Sequence, residues 1–423
     1  MLDIQLFRDN PDKIRASERR RGKDPERVDR VAELDREWRE TRQELDELRH
    51  ERNEVSDEIG ELKQAGEDAG EEIQRMQEVK EKIAELEEKE AELKEERDEE
   101  RYKVGNILHE AVPEGEDEDD AAELRQWGEK PGIDNPLHHA DLVEEFDLVD
   151  TDTAGEVSGS RFYYMKDDLV KLHLAVQQFA LDRLEEKGFQ RMYTPFMLNA
   201  EQMEAAAELD DFEETLYGID DEDKYLIATS EQTLAAYHYD EILDPERLPH
   251  RYAGISACFR KEAGSHGKDT KGIFRIHQFD KVEQFIFAHP DDSWERHEEL
   301  IDVAEEIMQD LELHYRVVDI PDGDMNDNAA RKYDIEAWYP AQQEYRELVS
   351  CSNNTDYQAR KLKVRMRGND DNPVVHVLNA TAWPGQRGLT ALLVQHQTGD
   401  GRVKIPPVLH DYMGGQQYIE KQD

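Results

Sequence analysis

The sequence is poor in several features that would each support a class of protein. Only two cysteines, Cys258 and Cys351, occur in 423 residues, which excludes a disulfide framework and a cysteine-rich zinc site. No apolar run approaches the ~18 residues that a membrane-spanning helix needs. The N-terminus lacks the basic segment and apolar core of a secretory signal. These absences predict a soluble, cytoplasmic protein without a membrane partner.

Glycine-rich nucleotide motifs and basic residues are also scarce. Neither Gly-x4-Gly-Lys-Ser/Thr nor Gly-x-Gly-x-x-Gly occurs, so a bound nucleotide would not lie on a P-loop or a dinucleotide-binding fold. The chain has 54 Lys and Arg against 102 Asp and Glu, a net charge of −48. Strong apolar periodicity and five Trp argue against disorder. Such a charge predicts a high-salt cytoplasm, the interior of a halophile, where a Debye length of ~3 Å at 1 M salt screens self-repulsion.

Two heptad repeats occupy the N-terminal part of the chain. Their apolar positions alternate steps of three and four over residues 31–62 and again over 76–107. Two glycines within residues 64–70 end the first helix. Two helices of ~35–40 residues joined by a short turn predict an antiparallel coiled-coil hairpin, ~50–60 Å long at 1.5 Å per residue. Charged residues occupy core positions in the second half of the seam: Glu90, Arg97 and Glu100.

Arginine is frequent in the first helix of this arm, although the protein is acidic. Arg42 and Arg49 lie one heptad apart on the same face. Arginine on a rigid rod can contact RNA phosphates without reading bases. Pairing with glutamates one turn away explains the same pattern, and a hairpin of this kind also suits a dimerisation or spacer element. Composition leaves these alternatives open.

The rest of the chain predicts a different architecture. Strand-like and helix-like segments alternate irregularly from Gly159 onward, which is typical of an α+β domain with an antiparallel sheet. The acidic segment 113–120 is a plausible linker, so we predict a coiled-coil domain over 1–112 and a second domain over 113–423. Strands are predicted at 161–165, 192–197, 224–229 and 315–320, and helices at about 169–187 and 294–311.

The most informative segment runs from residue 255 to 283. A period of two predicts two strands, joined by the polar, glycine-containing loop 263–271. Arginines bind phosphate oxygens in a fork, so the hairpin suits a flat, phosphorylated ligand with an amino group; a solvated face with ion pairs is the alternative. The opposite face is predicted to carry Phe274, Ile276 and Val282. The side chains that share the first face are Arg260, Glu262, Arg275, His277, Phe279, Lys281 and Glu283.

This hairpin and two further motifs resemble class II seryl-tRNA synthetases over nearly the whole chain. Residues 188–195 resemble the first motif of that family, a proline-ended strand at a dimer interface. Residues 259–283 resemble the second motif, and residues 379–387 with the following apolar helix resemble the third. The N-terminal arm is the part specific to the seryl enzymes. The third motif departs from the common bacterial form over residues 380–386, and the archaeal branch tolerates variation there.

The resemblance implies a reaction and its partners. ATP with Mg²⁺ would activate L-serine to seryl-adenylate, and the seryl group would pass to serine tRNA, with selenocysteine tRNA as a second candidate acceptor. A homodimer is implied by the first motif. A ligase that charges a carrier protein is the alternative, and the long arm counts against it. A coiled-coil interaction protein with a degenerate catalytic domain is a third hypothesis, which the retained arginines disfavour.

The same resemblance implies residue roles by position. Its catalytic residues are Arg260 and Arg387. Its ATP-binding residues are Arg260, Lys261, Glu262, Arg275, Ile276, Phe279, Glu347, Leu348, Val349, Ser350 and Arg387. Its serine-binding residues are Thr229, Ser230, Glu231, Arg260, Glu283 and Thr381. Its Mg²⁺ ligands are Glu347 and Ser350, and its tRNA-binding residues are Arg42 and Arg49. Each has a structural alternative, such as capping of the following helix by Thr229.

Overall fold

The chain divides into two compact units, residues 1–107 and 108–423. A computed structural model describes residues 1–207, 215–262, 271–369 and 371–421. Of the predicted loop 263–271, only residue 271 lies within the described ranges. No helix in the described ranges is long and apolar enough to cross a membrane.

The first unit is helical and contains the predicted hairpin. Gly66, with φ +75°, ends the first long helix, and its N–H bonds to the carbonyls of Leu62 and Lys63, the αL ending that glycine favours. The second long helix ends five residues before the predicted position 107. The helices are α1 (Ile4–Asp9), α2 (Pro11–Arg20), α3 (Glu26–Ala65) and α4 (Gly70–Tyr102).

The seam between α3 and α4 combines an apolar cluster with a polar layer. Arg97 of α4 is buried; its Nη1 lies 3.3 Å from Asp35 Oδ1 and its guanidinium 4.7 Å from the centre of the Trp38 ring. Trp38 Nε1 donates to Glu90 Oε1 at 2.8 Å. The predicted charged core positions 90 and 97 are therefore paired across the seam. The apolar cluster consists of Leu45, Val79 and Ile83.

The second unit is built on an eight-stranded sheet, which confirms the predicted α+β class. Its helices are α5 (His139–Glu145), α6 (Thr151–Ser158), α7 (Asp167–Glu186), α8 (Ala200–Ala206), α9 (Ser230–Ala236), α10 (Ser293–Asp310), α11 (Tyr357–Lys361) and α12 (Gly385–Gln395). Its strands are β1 (Ala122–Trp127), β2 (Val149–Asp150), β3 (Tyr164–Met165), β4 (Gln190–Tyr193), β5 (Met197–Asn199), β6 (Lys224–Leu226), β7 (Ile242–Leu243), β8 (His250–Phe259), β9 (Gln278–Ala288), β10 (Tyr315–Asp319), β11 (Arg331–Tyr339), β12 (Glu344–Asn353), β13 (Arg365–Met366), β14 (His376–Trp383), β15 (Val403–Lys404) and β16 (Tyr418–Ile419).

The large sheet has the strand order β1-β10-β11-β12-β14-β9-β8-β4. All neighbours are antiparallel except β4 and β8. Helices α7, α10 and α12 bury apolar residues in one core with this sheet. The order places the hairpin β8–β9 beside β14 and β12 although these strands lie far apart in the chain, and the ends of these four strands frame the site described next.

The predicted hairpin differs from the observed one in length. β9 begins at Gln278, not at Gly272, so Arg275 and Ile276 precede the strand. Arg260 and Glu262 follow the end of β8 at Phe259. Alternation along a strand therefore does not fix where these four side chains point. It does apply to Phe279, Lys281 and Glu283, which occupy every second position of β9.

Candidate active site

A pocket lies where the ends of β8, β9, β12 and β14 meet α12. Thr381 of β14, which lines the pocket, lies opposite Glu283 of β9. The residues that line the pocket are Arg260, Glu262, Phe274, Ile276, Phe279, Lys281, Glu347, Leu348, Thr381, Pro384, Gln386 and Arg387.

Half of the predicted substrate-contacting residues line this pocket. They are Arg260, Glu262, Ile276, Phe279, Glu347, Leu348, Thr381 and Arg387. Arg275, Thr229 and Glu283 reach it through a lining partner, as shown below. The backbone N–H of Lys261 donates to Thr215 at 2.9 Å. Val349 and Ser230 are buried, and Glu231 accepts from Gln358 Nε2 at 3.2 Å.

Arginines and one aromatic ring form the end of the pocket near β8. Arg260 Nε donates to the carbonyl of Ala228 at 3.3 Å, and its guanidinium lies 5.2 Å from the Phe279 ring centre. Arg275 Nη1 bonds to Glu262 Oε2 at 3.2 Å. A guanidinium held beside an aromatic ring can bind a phosphate or carboxylate next to a flat base.

A buried ion pair forms the opposite end. Lys281 Nζ lies 2.6 Å from Glu283 Oε2 and donates to Thr229 Oγ1 at 3.2 Å. Burial raises the pKa of Glu283, although Lys281 and Arg260 oppose that effect. Thr229 also caps α9 by accepting from the N–H of Glu231 at 3.3 Å, so the structural role considered for it is present together with the contact to the pocket.

Carboxylates of β11 and β12 occupy a third side. Partial desolvation opposes ionisation of Glu347, whose side chain is 48% exposed, but the charges of Arg387, Lys332 and Arg260 outweigh it and lower the pKa of its carboxyl. Arg387 Nη1 lies 3.5 Å from Glu347 Oε2. Asp334 lies opposite Ser350 across β11 and β12, and burial raises the pKa of Asp334 to about 7. Glu347, which lines the pocket together with Glu262, is therefore an ionised carboxylate that a ligand would meet.

The divergent third motif packs closely on β9. Gly385 begins α12 with φ +47°, and a Cβ there would lie 1.9 Å from the carbonyl oxygen of Asp280. Gln386 Oε1 accepts from the Asp280 N–H at 2.9 Å, and its Nε2 donates to Tyr163 Oη at 2.6 Å. These contacts set the distance between α12, which carries Arg387, and the strand that carries Phe279.

Comparison with known proteins identifies both units. A family model for the seryl-tRNA synthetase N-terminal domain matches residues 1–108, and a model for the tRNA synthetase class II core domain (G, H, P, S and T) matches residues 213–396. A serine–tRNA ligase of Methanosphaera stadtmanae is 51% identical over 99% of this chain and 100% of its own length. The chain belongs to the seryl-tRNA synthetase family. Its activity is that of a serine–tRNA ligase of class II.

Solved structures of seryl-tRNA synthetases agree with the fold. The crystal structure of the Pyrococcus horikoshii enzyme complexed with ATP matches with a TM-score of 0.95 and 44% identity, covering 100% of both chains. The cytoplasmic enzyme of Naegleria fowleri in complex with AMP matches with a TM-score of 0.91 and 38% identity, covering 100% of this chain and 99% of that one. The likeness extends over the arm and the catalytic unit alike.

Sequence reasoning missed several residues of this synthetase pocket. Phe274 was expected on the opposite face of a strand, yet it lines the pocket with the guanidinium groups of Arg346 and Arg387 at 4.4 and 5.0 Å from its ring centre. Lys281 was placed on the functional face without a role. Gln386 was noted only as a departure from the family pattern. No local signal could have joined Gln386 to Asp280, because 106 residues separate them.

The arm residues predicted to bind tRNA differ in their surroundings. Arg49 is paired with Asp46 at 3.4 Å and with Glu87 of α4 at 2.9 Å. Arg42 is exposed, stacks at 5.2 Å from the Trp38 ring centre, and has no ion pair with an acid in the described part of the chain. The intrahelical alternative therefore applies to Arg49 more than to Arg42.

Proposed function

We propose that the pocket holds ATP and L-serine side by side, with the residue roles that the family resemblance implies. Arg260 would bridge the serine carboxylate and the α-phosphate, Phe279 would stack on adenine, and Glu262 would accept from its amino group. Arg275 and Arg387 would hold the β- and γ-phosphates. The observation that carries this proposal is the convergence of Arg260, Phe279 and Arg387 from three separate segments on one pocket.

The serine subsite is proposed at the opposite end. Thr229 and Glu231 would receive the amino group, Glu283 would accept the side-chain hydroxyl, and Thr381 would flank it. Direct pairing of Glu283 and Thr381 across β9 and β14 supports this arrangement. A buried acceptor discriminates strongly, because alanine would leave it unpaired; sites of this kind reject the analogue that lacks the hydroxyl by ~10⁴-fold.

Magnesium is proposed to enter with ATP. No cluster of three or more His, Cys, Asp or Glu in the described ranges could hold a metal by itself. Mg²⁺ typically uses one or two carboxylates together with substrate phosphates, and the ionised Glu347, with the Ser350 hydroxyl three residues on, fits that pattern. Bound there, Mg²⁺ would neutralise phosphate charge.

The first step of the proposed chemistry needs no general base. A serine carboxylate is already ionised at neutral pH, and it attacks the α-phosphate in line as pyrophosphate leaves. A ribose hydroxyl of tRNA then attacks the carbonyl carbon of seryl-adenylate, loses its proton and takes the seryl group as AMP leaves. Arg260 orients the nucleophile against the phosphate and neutralises developing charge, so catalysis rests on positioning and electrostatics.

Serine tRNA is the proposed macromolecular partner of the arm. The match of residues 1–108 to the seryl N-terminal domain supports this role. The exposed guanidinium of Arg42 is the better candidate contact, since Arg49 is already paired within the hairpin. Phosphate contacts of this kind position an RNA without reading its sequence.

A homodimer is proposed on an exposed apolar surface of the catalytic unit. Tyr193 of edge strand β4 is 77% exposed and Leu174 of α7 is 59% exposed. Large exposed apolar side chains favour an interaction surface, and β4 lies within the segment 188–195 that resembles the first motif. Other exposed apolar side chains of this unit are Val157, Tyr164, Val170 and Met197.

Operation at high salt is proposed from the charge of −48. Screening to a Debye length of ~3 Å at 1 M salt would remove most of the repulsion between exposed carboxylates. A halophilic origin would account for a charge that ordinary solubility does not require.

ATP–pyrophosphate exchange in molar KCl tests the central proposal. Exchange should depend on serine and be far weaker with alanine, glycine or threonine. The variant R260A should lose exchange while its circular dichroism stays unchanged. Equal exchange with several amino acids would contradict the serine subsite, and full activity of R260A would contradict the role of Arg260.

A further inference from the structure

Lys281 is the residue of this pocket that no role yet explains. It lies on β9 two residues from Glu283, so both side chains project from the same face of the strand. Its ammonium nitrogen is 2.6 Å from Glu283 Oε2 and 3.2 Å from Thr229 Oγ1. The side chains of Lys281 and Glu283 are only 13% and 1% exposed. Water therefore contributes little to the solvation of this pair.

Among the described residues, Lys281 is the one that forms an ion pair with Glu283. Arg260, beyond the end of β8, acts on Glu283 only at longer range. The nearby titratable groups on β8 and β12 are Cys258 and Cys351, whose pKa values are raised by burial, so both remain neutral thiols. Neither carboxylate oxygen of Glu283 has a hydrogen bond of good geometry in the described chain, and the ammonium of Lys281 makes its 2.6 Å contact with Oε2.

The protonation state of a buried carboxyl depends on such a partner. Burial alone favours the neutral acid, and burial does raise the pKa of Glu283. A neutral carboxyl donates one hydrogen bond and accepts others, whereas a carboxylate only accepts. Only the carboxylate therefore requires a donor from its ligand, and an unpaired charged acceptor costs more than an unpaired neutral one.

We propose that Lys281 is a specificity-determining positioning residue, which keeps Glu283 an ionised, acceptor-only group and so makes the site demand an amino acid with a hydroxyl donor. Lys281 occupies one carboxylate oxygen and leaves Oε1 for the substrate. This inference rests on the proposed role of Glu283 in binding the serine side chain. Through Thr229, the same ammonium also fixes the start of α9, where the amino group of serine is proposed to bind.

A different role for Lys281 would give a different pattern. Lys281 lines the same pocket as Arg260 and Arg387, so it could instead bind a phosphate of ATP. In that case its removal would raise the KM for ATP and leave the preference for serine unchanged. The two roles therefore separate in a comparison of KM for ATP with selectivity among amino acids.

The experiment measures pyrophosphate exchange by the full-length variants K281M and K281R. The profile of kcat/KM for serine against pH reports ionisations of the free enzyme, and an opposite charge at this range lowers a carboxyl pKa by about one to three units. In K281M the acid limb should therefore move up by about one to three pH units. The ratio of kcat/KM for serine to that for alanine should fall at least about tenfold, with the KM for ATP unchanged, and K281R should behave nearly as the wild type.

A matched control is K187M, which removes an exposed lysine–glutamate pair with the same chemistry, Lys187 Nζ to Glu306 at 2.7 Å. K187M should change neither the acid limb of the pH profile nor the ratio of kcat/KM for serine to that for alanine. The double variant K281M/E283Q should show the same acid limb as E283Q, because the titrating group is gone. If K281M does not fold by circular dichroism, K281Q, which retains a donor of neutral charge, gives the same test.

A uniform loss of activity at every pH, with the serine-to-alanine ratio unchanged, would overturn the inference. A wild-type enzyme that does not prefer serine would instead refute the proposed serine subsite. The two failures are distinct, because the second appears before any substitution is made.

Discussion

The close packing of α12 on β9 gives a prediction for the variant G385A. A Cβ at residue 385 would lie 1.9 Å from the Asp280 carbonyl oxygen, whereas real Cβ atoms stay at least about 3.0 Å from such an atom. The backbone of α12 or β9 must therefore retreat by at least about 1.1 Å. A displacement of 1 Å in positioning elements can cost about 10²-fold in rate.

The displaced elements carry the proposed ATP contacts, so the loss should be specific. Arg387 follows Gly385 by two residues on α12, and Phe279 precedes Asp280 on β9. We expect kcat/KM for ATP in pyrophosphate exchange to fall by about 10²-fold. We also expect the free energy of unfolding to fall by about 1 kcal/mol from the positive φ itself and by a further ~1–3 kcal/mol from the displaced contact.

The matched control is G401A. Gly401 also has a positive φ, +79°, but nothing among the described residues lies within 4 Å of a Cβ built there. G401A should show only the small loss in free energy of unfolding that comes from the positive φ, with no change in pyrophosphate exchange. Wild-type exchange by a folded G385A would refute the argument that this approach sets the geometry of the site. Equal losses by both variants would show that backbone conformation, not contact, is responsible.

Three further predictions address the arm, the charge and the core. Deletion of residues 37–97 should leave pyrophosphate exchange near its original rate and abolish most tRNA charging. Within the arm, R42E should reduce charging more than R49E. Intact charging after the deletion would contradict a tRNA role of the arm. Far-UV circular dichroism should diminish as KCl falls from several molar to about 0.05 M, and an unchanged spectrum would argue against charge repulsion. Burial lowers the pKa of His297 to about 4 from its ordinary 6.5, so the folded state binds fewer protons than the unfolded chain. The free energy of unfolding should therefore fall by on the order of 2 kcal/mol between pH 7 and 5. Denaturant unfolding of H297Q should show a smaller fall over the same pH range.

Local periodicity predicted the elements, and long-range packing decided the site. The heptads predicted the α3–α4 hairpin because burial along a seam repeats every three or four residues. The period of two predicted the shared face of Phe279, Lys281 and Glu283, since all three lie within β9. It was wrong for Phe274, which precedes the strand and lines the pocket. The contacts of Gln386 and Asp334 depend on strand order, which no local pattern contains.

Three of the four cations proposed to face the substrates already have a carboxylate partner, whereas Arg260 is held by the carbonyl of Ala228. Arg275 bonds to Glu262, Lys281 to Glu283, and Arg387 to Glu347, at distances of 3.2, 2.6 and 3.5 Å. Such pairs hold charged side chains in place before the substrates arrive, so little reorganisation is needed during the reaction.

The same pairing explains how a chain with a charge of −48 can bind an anionic nucleotide in salt. At 1 M salt the Debye length is ~3 Å, and exposed charges farther apart are largely screened, while partly buried pairs are screened much less. The acidic surface therefore exerts little long-range repulsion on ATP. The pocket relies on contacts of about that length between enclosed groups, such as the Lys281–Glu283 pair with its side chains 13% and 1% exposed. Substrate binding should accordingly depend less on salt than the stability of the fold does, and a KM for ATP that rises in parallel with unfolding as KCl is lowered would contradict this separation.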